Sequence, residues 1–141
     1  MVLILHVIFA SAWIGLVVGE AVIELMANDR ETRKFVAKAH EIMDVYFEGP
    51  LVALTLVSGA HLLYGLWPDI SVLLVIKIVC ALIAVFVNVL CIRWVVLRAR
   101  AETDSEFAEI AHKVNHTKYA IPFALVALGI GILGAYLKTP V

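Results

Sequence analysis

Five histidines are the most versatile side chains in this 141-residue chain, and their surroundings divide them into two groups. His6 and His61 stand in otherwise apolar stretches, whereas His40, His112 and His116 lie in polar sequence. A neutral imidazole binds a transition metal or haem iron through one ring nitrogen, and it can carry a proton near neutral pH. The two groups therefore predict two separate candidate sites.

The composition shows in which solvent these side chains must work. Hydrophobic residues make up 63% of the chain, charged residues 16%, and the mean hydropathy is +1.00. A soluble domain averages about 45–50% apolar and about 25% charged residues. The composition therefore predicts an integral membrane protein whose main partner is the lipid bilayer. It excludes a soluble enzyme, a nucleic-acid-binding protein and a disordered chain.

Four apolar stretches are long enough to cross a bilayer, which takes about 20 residues. They cover about 3–27, 49–67, 70–97 and 119–137. Sheet edges cannot be satisfied in hydrocarbon, so these spans are predicted to be helices. Short connections favour an all-α bundle of four transmembrane helices that run up, down, up and down. Residues 1–141 are expected to form this single domain.

The two polar segments between spans are predicted to be helical extensions of the bundle. Asn28 or Asp29 can cap the first, and Thr103 and Glu106 have the spacing of a capping box at the start of the second. The first extension carries an apolar stripe at helical spacing, formed by Phe35, Val36, Ala39, Ile42, Met43 and Tyr46. It leads into the second span at Gly49.

Basic residues predict the orientation, because they concentrate in the cytoplasmic loops of membrane proteins. Nine of them lie in or beside the two long loops, and only Lys138 lies at the opposite end. The nine are Arg30, Arg33, Lys34, Lys38, Arg93, Arg98, Arg100, Lys113 and Lys118. We therefore expect a multi-pass protein of the inner (cytoplasmic) membrane, with both termini outside and both long loops in the cytoplasm.

The outer half of the membrane is expected to hold the first site. At a rise of about 1.5 Å per residue, His6 lies roughly 5 Å, His61 roughly 9 Å and Lys77 roughly 10 Å inside the outer boundary. Two imidazoles at one level on facing helices suit the axial ligands of a haem iron. Lys77 could pair with a haem propionate or an anionic substrate. Alternatively, the histidines only form hydrogen bonds at the interface and Lys77 snorkels outward.

The inner half is expected to hold the second site. Glu20 and Glu24 are four residues apart and share one helix face. With the three histidines of the polar segments, His40, His112 and His116, they offer enough donors for a transition metal, a second haem or a proton relay. Glu48 and Asn88 also carry polar atoms at this end. Alternatively, the histidines are exposed and the glutamates pair with Arg30, Arg33 or Arg93.

Small residues recur at four-residue spacing on two spans. One row is Ser11, Gly15 and Gly19, and the other is Ala127, Gly131 and Ala135. Rows of this kind let helix backbones approach closely, either within a bundle or across a homodimer. The spacing alone does not choose between the two.

The order of features resembles the small four-helix membrane proteins related to HemJ-type protoporphyrinogen oxidase and to the CopD copper-resistance domain. Four segments carry the resemblance: Leu5 through Gly15, Leu54 through Gly59, Val75 through Ile78, and Asn115 through Leu125. The resemblance implies a b-type haem with His6 as a ligand and Lys77 at the porphyrin site. The chain departs from the HemJ pattern at Asn88, where those proteins tend to carry a histidine.

These observations favour a b-type haem protein that moves electrons between a quinone or other redox partner and an acceptor. One alternative is a HemJ-type oxidase that acts on a porphyrinogen, so that an enzymatic role would be that of a haem-dependent membrane oxidoreductase. Another is a transition-metal carrier or sensor that uses the inner His and Glu residues. A structural subunit with incidental histidines is the last alternative.

Overall fold

The computed structural model describes residues 1–68, 70–116 and 121–137, and its side chains are described except at 115, 116, 121, 122, 124, 132 and 134–137. The helices are α1 (Val2–Met26), α2 (Arg30–Met43), α3 (Gly49–Leu66), α4 (Val72–Ala99), α5 (Asp104–His116) and α6 (Ile121–Leu137). The prediction of an all-α fold is confirmed. Residues 119 and 120 of the fourth predicted span lie outside the described residues.

Three stretches of helix are long and apolar enough to cross a membrane: α1, α4 and the continuous segment Arg30–Leu66. Most of their large apolar side chains are exposed, for example Val57 at 70% and Phe86 at 65%. Hydrocarbon chains can cover such surfaces, which water cannot do favourably. The protein therefore has the character of a multi-pass membrane protein. Helix α6 has 17 residues and covers most of the fourth predicted span.

Helices α2 and α3 join without a break through a π-helical turn, Asp44–Glu48. A π turn holds more residues than an α turn and changes the direction in which side chains point. Both acids at its ends are buried, at 2% and 3% exposure. A Cβ atom at Gly49 would lie 3.3 Å from the carbonyl oxygen of Asp44, so the residue after the turn has little space for a side chain.

Side-chain caps begin the helices where the sequence predicts them. An Oδ1 atom of Asp29 accepts a hydrogen bond from the Thr32 amide at 2.9 Å. At α5, Thr103 Oγ1 accepts from the Glu106 amide at 3.3 Å. The Glu106 carboxylate accepts in return from the amide of Glu102, one residue before the cap. Both predicted extensions are therefore confirmed as helices.

The buried face of α2 differs from its apolar stripe. Phe35 is 74% exposed and Ile42 47%, whereas His40 is only 5% and Glu41 only 7% exposed. The reason is the neighbouring surface: α2 packs against α4 and α1, which present charged partners to this polar face. The apolar stripe is divided, since Phe35, Ile42 and Tyr46 are exposed whereas Val36 is buried at 4% exposure.

The helices pack against one another in pairs, and three of them share a small apolar core. Helix α1 packs on α3, and α4 packs on α6, α5 and α2. A buried apolar cluster of Trp13, Val52, Ala84 and Val85 joins α1, α3 and α4. Gly15 and Gly19 belong to the row of small residues on α1, and both have open space where a Cβ atom would lie. No described side chain or neighbouring helix packs against these two glycines. The homodimer stays a prediction.

Candidate functional sites

The imidazole of His6 is held by α3. Its Nδ1 atom lies 3.0 Å from the Oγ atom of Ser58. Ser58 Oγ donates its single hydrogen to a backbone carbonyl, with Leu54 O at 2.7 Å and Thr55 O at 3.1 Å. With that hydrogen on a carbonyl the hydroxyl accepts from His6, and we assign the imidazole hydrogen to Nδ1 on this basis. In this tautomer the Nε2 atom keeps its lone pair, as in a metal-binding histidine whose other nitrogen is oriented by a second group.

Glycine at position 59 lets the His6 ring lie against α3. A Cβ atom there would be 3.1 Å from Cε1 of His6 and 3.6 Å from Nδ1. The first distance is too short for an undisturbed contact, so any larger residue would push the ring away. Ser58 and Gly59 together fix both the hydrogen bond and the position of the imidazole.

Lys77 of α4 reaches the same level from the other side. Its Cε and Nζ atoms lie 3.5 Å from the place that a Cβ atom of Gly131 on α6 would take. The lysine is half-buried and interacts electrostatically with His6. The structure thus brings His6 and Lys77 into one region, as the sequence predicts.

His61 points elsewhere on α3. Successive residues of an α-helix are turned by about 100°, so His61 lies about 60° to one side of Ser58 and Gly59 about 100° to the other. The ring of His6 lies over Ser58 and Gly59, while His61 is exposed. The contacts of His6 on α3 that the structure describes are with Ser58 and Gly59, and ligation by His61 stays a prediction.

At the other end of the bundle, Glu24 forms an ion pair with Arg98. The Nη1 and Nη2 atoms of Arg98 donate to the two carboxylate oxygens at 2.8 and 3.1 Å. His40 Nδ1 lies 3.5 Å from Glu24 and 3.4 Å from Arg98. The expected partners Arg30, Arg33 and Arg93 are replaced by Arg98, and the alternative of an exposed His40 is wrong because the imidazole is buried.

Three acidic side chains meet beside this ion pair. Glu20 of α1 and Asp44 and Glu48 of the π turn each place one carboxylate oxygen within 4.8 Å of the others. We call these three residues the carboxyl cluster. Trp13 Nε1 donates to Glu48 Oε1 at 2.9 Å, and Asn88 of α4 lies against Glu48. Sequence reasoning missed Asp44, which lies in a polar segment, although its four-residue spacing to Glu48 is a helical signal.

The remaining predicted ligands are spread over other parts of the molecule. His112 is exposed on α5, and the side chain of His116 lies outside the described ones. Among the residues that the structure describes, the one group able to hold a metal is the carboxyl cluster. Glu20 is therefore grouped with two other acids, and Glu24 and His40 belong to the ion pair instead.

The two polar helices contact each other at one end of the bundle. Arg30 and Lys34 of α2 both pair with Asp104 of α5, with Lys34 Nζ at 3.3 Å. The hydrogen bond from Arg30, followed by that from Lys34, holds the pKa of Asp104 below its ordinary value of 3.8. Both groups are exposed, so this contact positions the helices and adds little stability.

No family model matches the chain, and neither a curated protein nor a solved structure matches it.

Proposed function

We propose that the protein is a b-type haem protein of the membrane that takes part in electron transfer or related redox chemistry, with His6 as iron ligand. The observation that carries the proposal is the hydrogen bond from His6 Nδ1 to Ser58, which leaves Nε2 able to bind a metal. When bound, a b-type haem would supply one-electron redox chemistry.

The neighbouring residues fit a planar anionic cofactor in three ways. Ser58 orients the imidazole of His6, which a ligand needs if it is to hold its metal in a fixed geometry. Lys77 places a positive charge at the same level, where it can bind a propionate. Gly59 and Gly131 keep bulky side chains away from His6 and Lys77.

His6 alone is the iron ligand that we propose for the chain as it is folded. His61 is exposed and turned away from the contact of His6 with α3. A second ligand from His61 would require α3 to rotate or a second copy of the chain to contribute it. The spectrum of a His61 variant separates these arrangements, because two imidazole ligands give a low-spin iron.

The proposal includes the finer topology of the bundle. Helix α6 is taken as the fourth span, and both long loops are placed on the cytoplasmic side of the inner membrane. The contacts of Arg30 and Lys34 with Asp104 support a common side for the two loops, since they tie α2 to α5. The nine basic residues of these loops support the cytoplasmic side.

The test is an optical spectrum of the full chain, purified in detergent from haem-supplied cells. We expect a reduced-minus-oxidised b-type band and about one haem per chain. His6→Ala should lose most of the haem, whereas His112→Ala, which changes an exposed histidine of α5, should keep it. His61→Ala should leave the band in place. Colourless protein under these conditions, or an unchanged spectrum in His6→Ala, would contradict the proposal.

A further inference from the structure

The negative charge of the carboxyl cluster is not balanced by positive charge on the described side chains around it. Glu20, Asp44 and Glu48 bring one oxygen each within 4.8 Å of the others. No lysine, arginine or histidine of the described residues forms an ion pair with any of them. Arg98 interacts with Asp44 at longer range, but its guanidinium already binds both oxygens of Glu24. Three like charges at this spacing are strongly unfavourable where water is excluded.

Asp44 provides an independent indication that something binds there. Its side chain is among the most deeply buried of the described residues, at 2% exposure, and its Oδ1 atom has no hydrogen-bond partner outside the cluster. A buried polar atom without a partner is rare in native proteins and calls for an unseen partner. The amide nitrogen of Asn88, beside Glu48, is also buried without a partner of good geometry.

We propose that Glu20, Asp44 and Glu48 bind a hard divalent cation of the Mg²⁺, Ca²⁺ or Mn²⁺ class. Ligand oxygens of Ca²⁺ lie at about 2.3–2.6 Å, so two oxygens on one ion are at most about 5 Å apart. The spacing of up to 4.8 Å in the cluster fits this limit. A double positive charge would offset two of the three negative charges.

The ligand types select the class of cation. All three groups supply carboxylate oxygen, and hard cations prefer oxygen to nitrogen or sulfur. If the Asn88 amide were turned over, its carbonyl oxygen would face Glu48 and could serve as a fourth ligand oxygen. His40 uses its Nδ1 atom for Glu24 and Arg98, and it is not one of the groups whose ligand atoms lie within 4.8 Å of one another.

The cluster also has a support for its shape. Glu20 is less deeply buried than Asp44 and Glu48, but its Oε1 atom is enclosed and without a partner outside the cluster, as is Oδ1 of Asp44. Trp13 donates to Glu48 and belongs to the buried apolar cluster, which holds that carboxylate in place. The site is separate from His6, which contacts α3 nearer its other end.

The first experiment titrates Mn²⁺ into the full chain in nanodiscs of zwitterionic lipid and follows free Mn²⁺ by electron paramagnetic resonance. We expect about one tightly bound Mn²⁺ per chain. Asp44→Asn should weaken binding at least about tenfold, the scale at which loss of metal-site groups acts. Asp104→Asn is the matched control on the exposed end of α5 and should bind as the wild type does. Equal weakening in both variants would overturn the proposal.

A second measurement guards against a variant that fails to fold. Glu20→Gln changes the least buried of the three ligands and should also weaken binding, while circular dichroism and gel filtration should show an intact helical protein. Wild-type protein that binds no Mn²⁺ and shows the infrared C=O stretch of a protonated carboxylic acid, lost in Asp44→Asn, would mean that the cluster holds protons only. That result would overturn the cation site.

Trp13 offers a test of the location. Its indole donates to Glu48, so Tb³⁺ bound at the cluster should emit when tryptophan is excited. Trp13→Phe should remove most of this sensitised emission, whereas Trp94→Phe on α4 should leave it. Emission that depends on Trp94 and not on Trp13 would place the ion elsewhere and reject the proposal.

Discussion

Arg98 of α4 binds both carboxylate oxygens of Glu24 of α1, although 74 residues separate the two along the chain. The side chain of Arg98 is 2% exposed and that of Glu24 is 42% exposed. The pair thus joins the first and third long apolar helices at one end of the bundle. Because only the arginine is buried, the two partners differ in what their removal should do.

We predict that Glu24→Gln destabilises the protein more than Arg98→Met does. The first change leaves a buried guanidinium without its anion, which costs about 3–5 kcal/mol for fully buried pairs. The partial exposure of Glu24 should reduce this to about 2–3 kcal/mol, because solvent screens the pair. Arg98→Met leaves a carboxylate that water can reach. Unfolding in detergent with increasing denaturant measures both changes.

The matched control for this pair is Arg100→Met. Arg100 binds Glu41, and its side chain is 70% exposed, so its loss should change the unfolding midpoint little. Two outcomes would show that burial of the guanidinium does not decide the effect. One is an equal loss of stability in Arg98→Met and Arg100→Met. The other is a larger loss in Arg98→Met than in Glu24→Gln.

Gly59→Ala should displace the ring of His6. The added Cβ atom would lie 3.1 Å from Cε1, so the imidazole must move by a few tenths of an ångström or turn. We expect a shift of the His6 ring-nitrogen signals in NMR spectra and weaker retention of haem. Gly65→Ala adds the same methyl group to α3 where nothing lies within 4 Å, and it should leave both readouts unchanged.

Ser58→Ala should free the tautomer of His6 without removing the imidazole. The Nδ1 hydrogen would lose its acceptor, so the ring would exchange between its two neutral forms. We expect haem affinity to fall about 10–100-fold, the effect usual for loss of a group that orients a metal ligand. Thr55→Val, which removes a nearby hydroxyl without a hydrogen-bond partner on α3, serves as the control and should have little effect.

The contact between α2 and α5 should depend on pH through Asp104. Its pKa is lowered in the folded protein, so its interaction with Arg30 is fully present above the ordinary value of 3.8 and is lost as the pH falls below it. The protection of amides at the start of α5, measured relative to their intrinsic exchange rates at each pH, should therefore fall on acidification below this value. Asp104→Asn should show no such step, whereas Glu109→Gln, which breaks a pair inside α5, should keep it.

A reporter fused after Val141 tests the orientation. The excess of basic residues in the two long loops predicts that the C-terminus lies outside the cytoplasm. Alkaline phosphatase at this position should be active, and a fusion between α4 and α5, after Arg100, should be inactive. The opposite pattern would reverse the orientation and place the carboxyl cluster on the outer side.

The helices and their ends follow from local sequence. Long apolar runs require helices in lipid, and the caps at Asp29 and Thr103 depend on residues three positions apart. These interactions are local, so spacing along the chain is enough to predict them. For the same reason, counting residues along the helices predicts that His6 and Lys77 lie near the same end of the bundle.

Only the tertiary structure decided which polar groups meet. His6 was expected to face His61, and the contacts that the rotation of α3 gives it are with Ser58 and Gly59. Counting residues gives depth along a helix but not the rotation of one helix against another, which depends on packing of whole surfaces. Asp44, the first residue of the π turn, meets Glu20 of α1 through the packing of the helices, although 24 residues separate the two along the chain. The sequence by itself therefore determined which segments are helical and most of the candidate residues, though not Asp44, whereas long-range packing determined their partners.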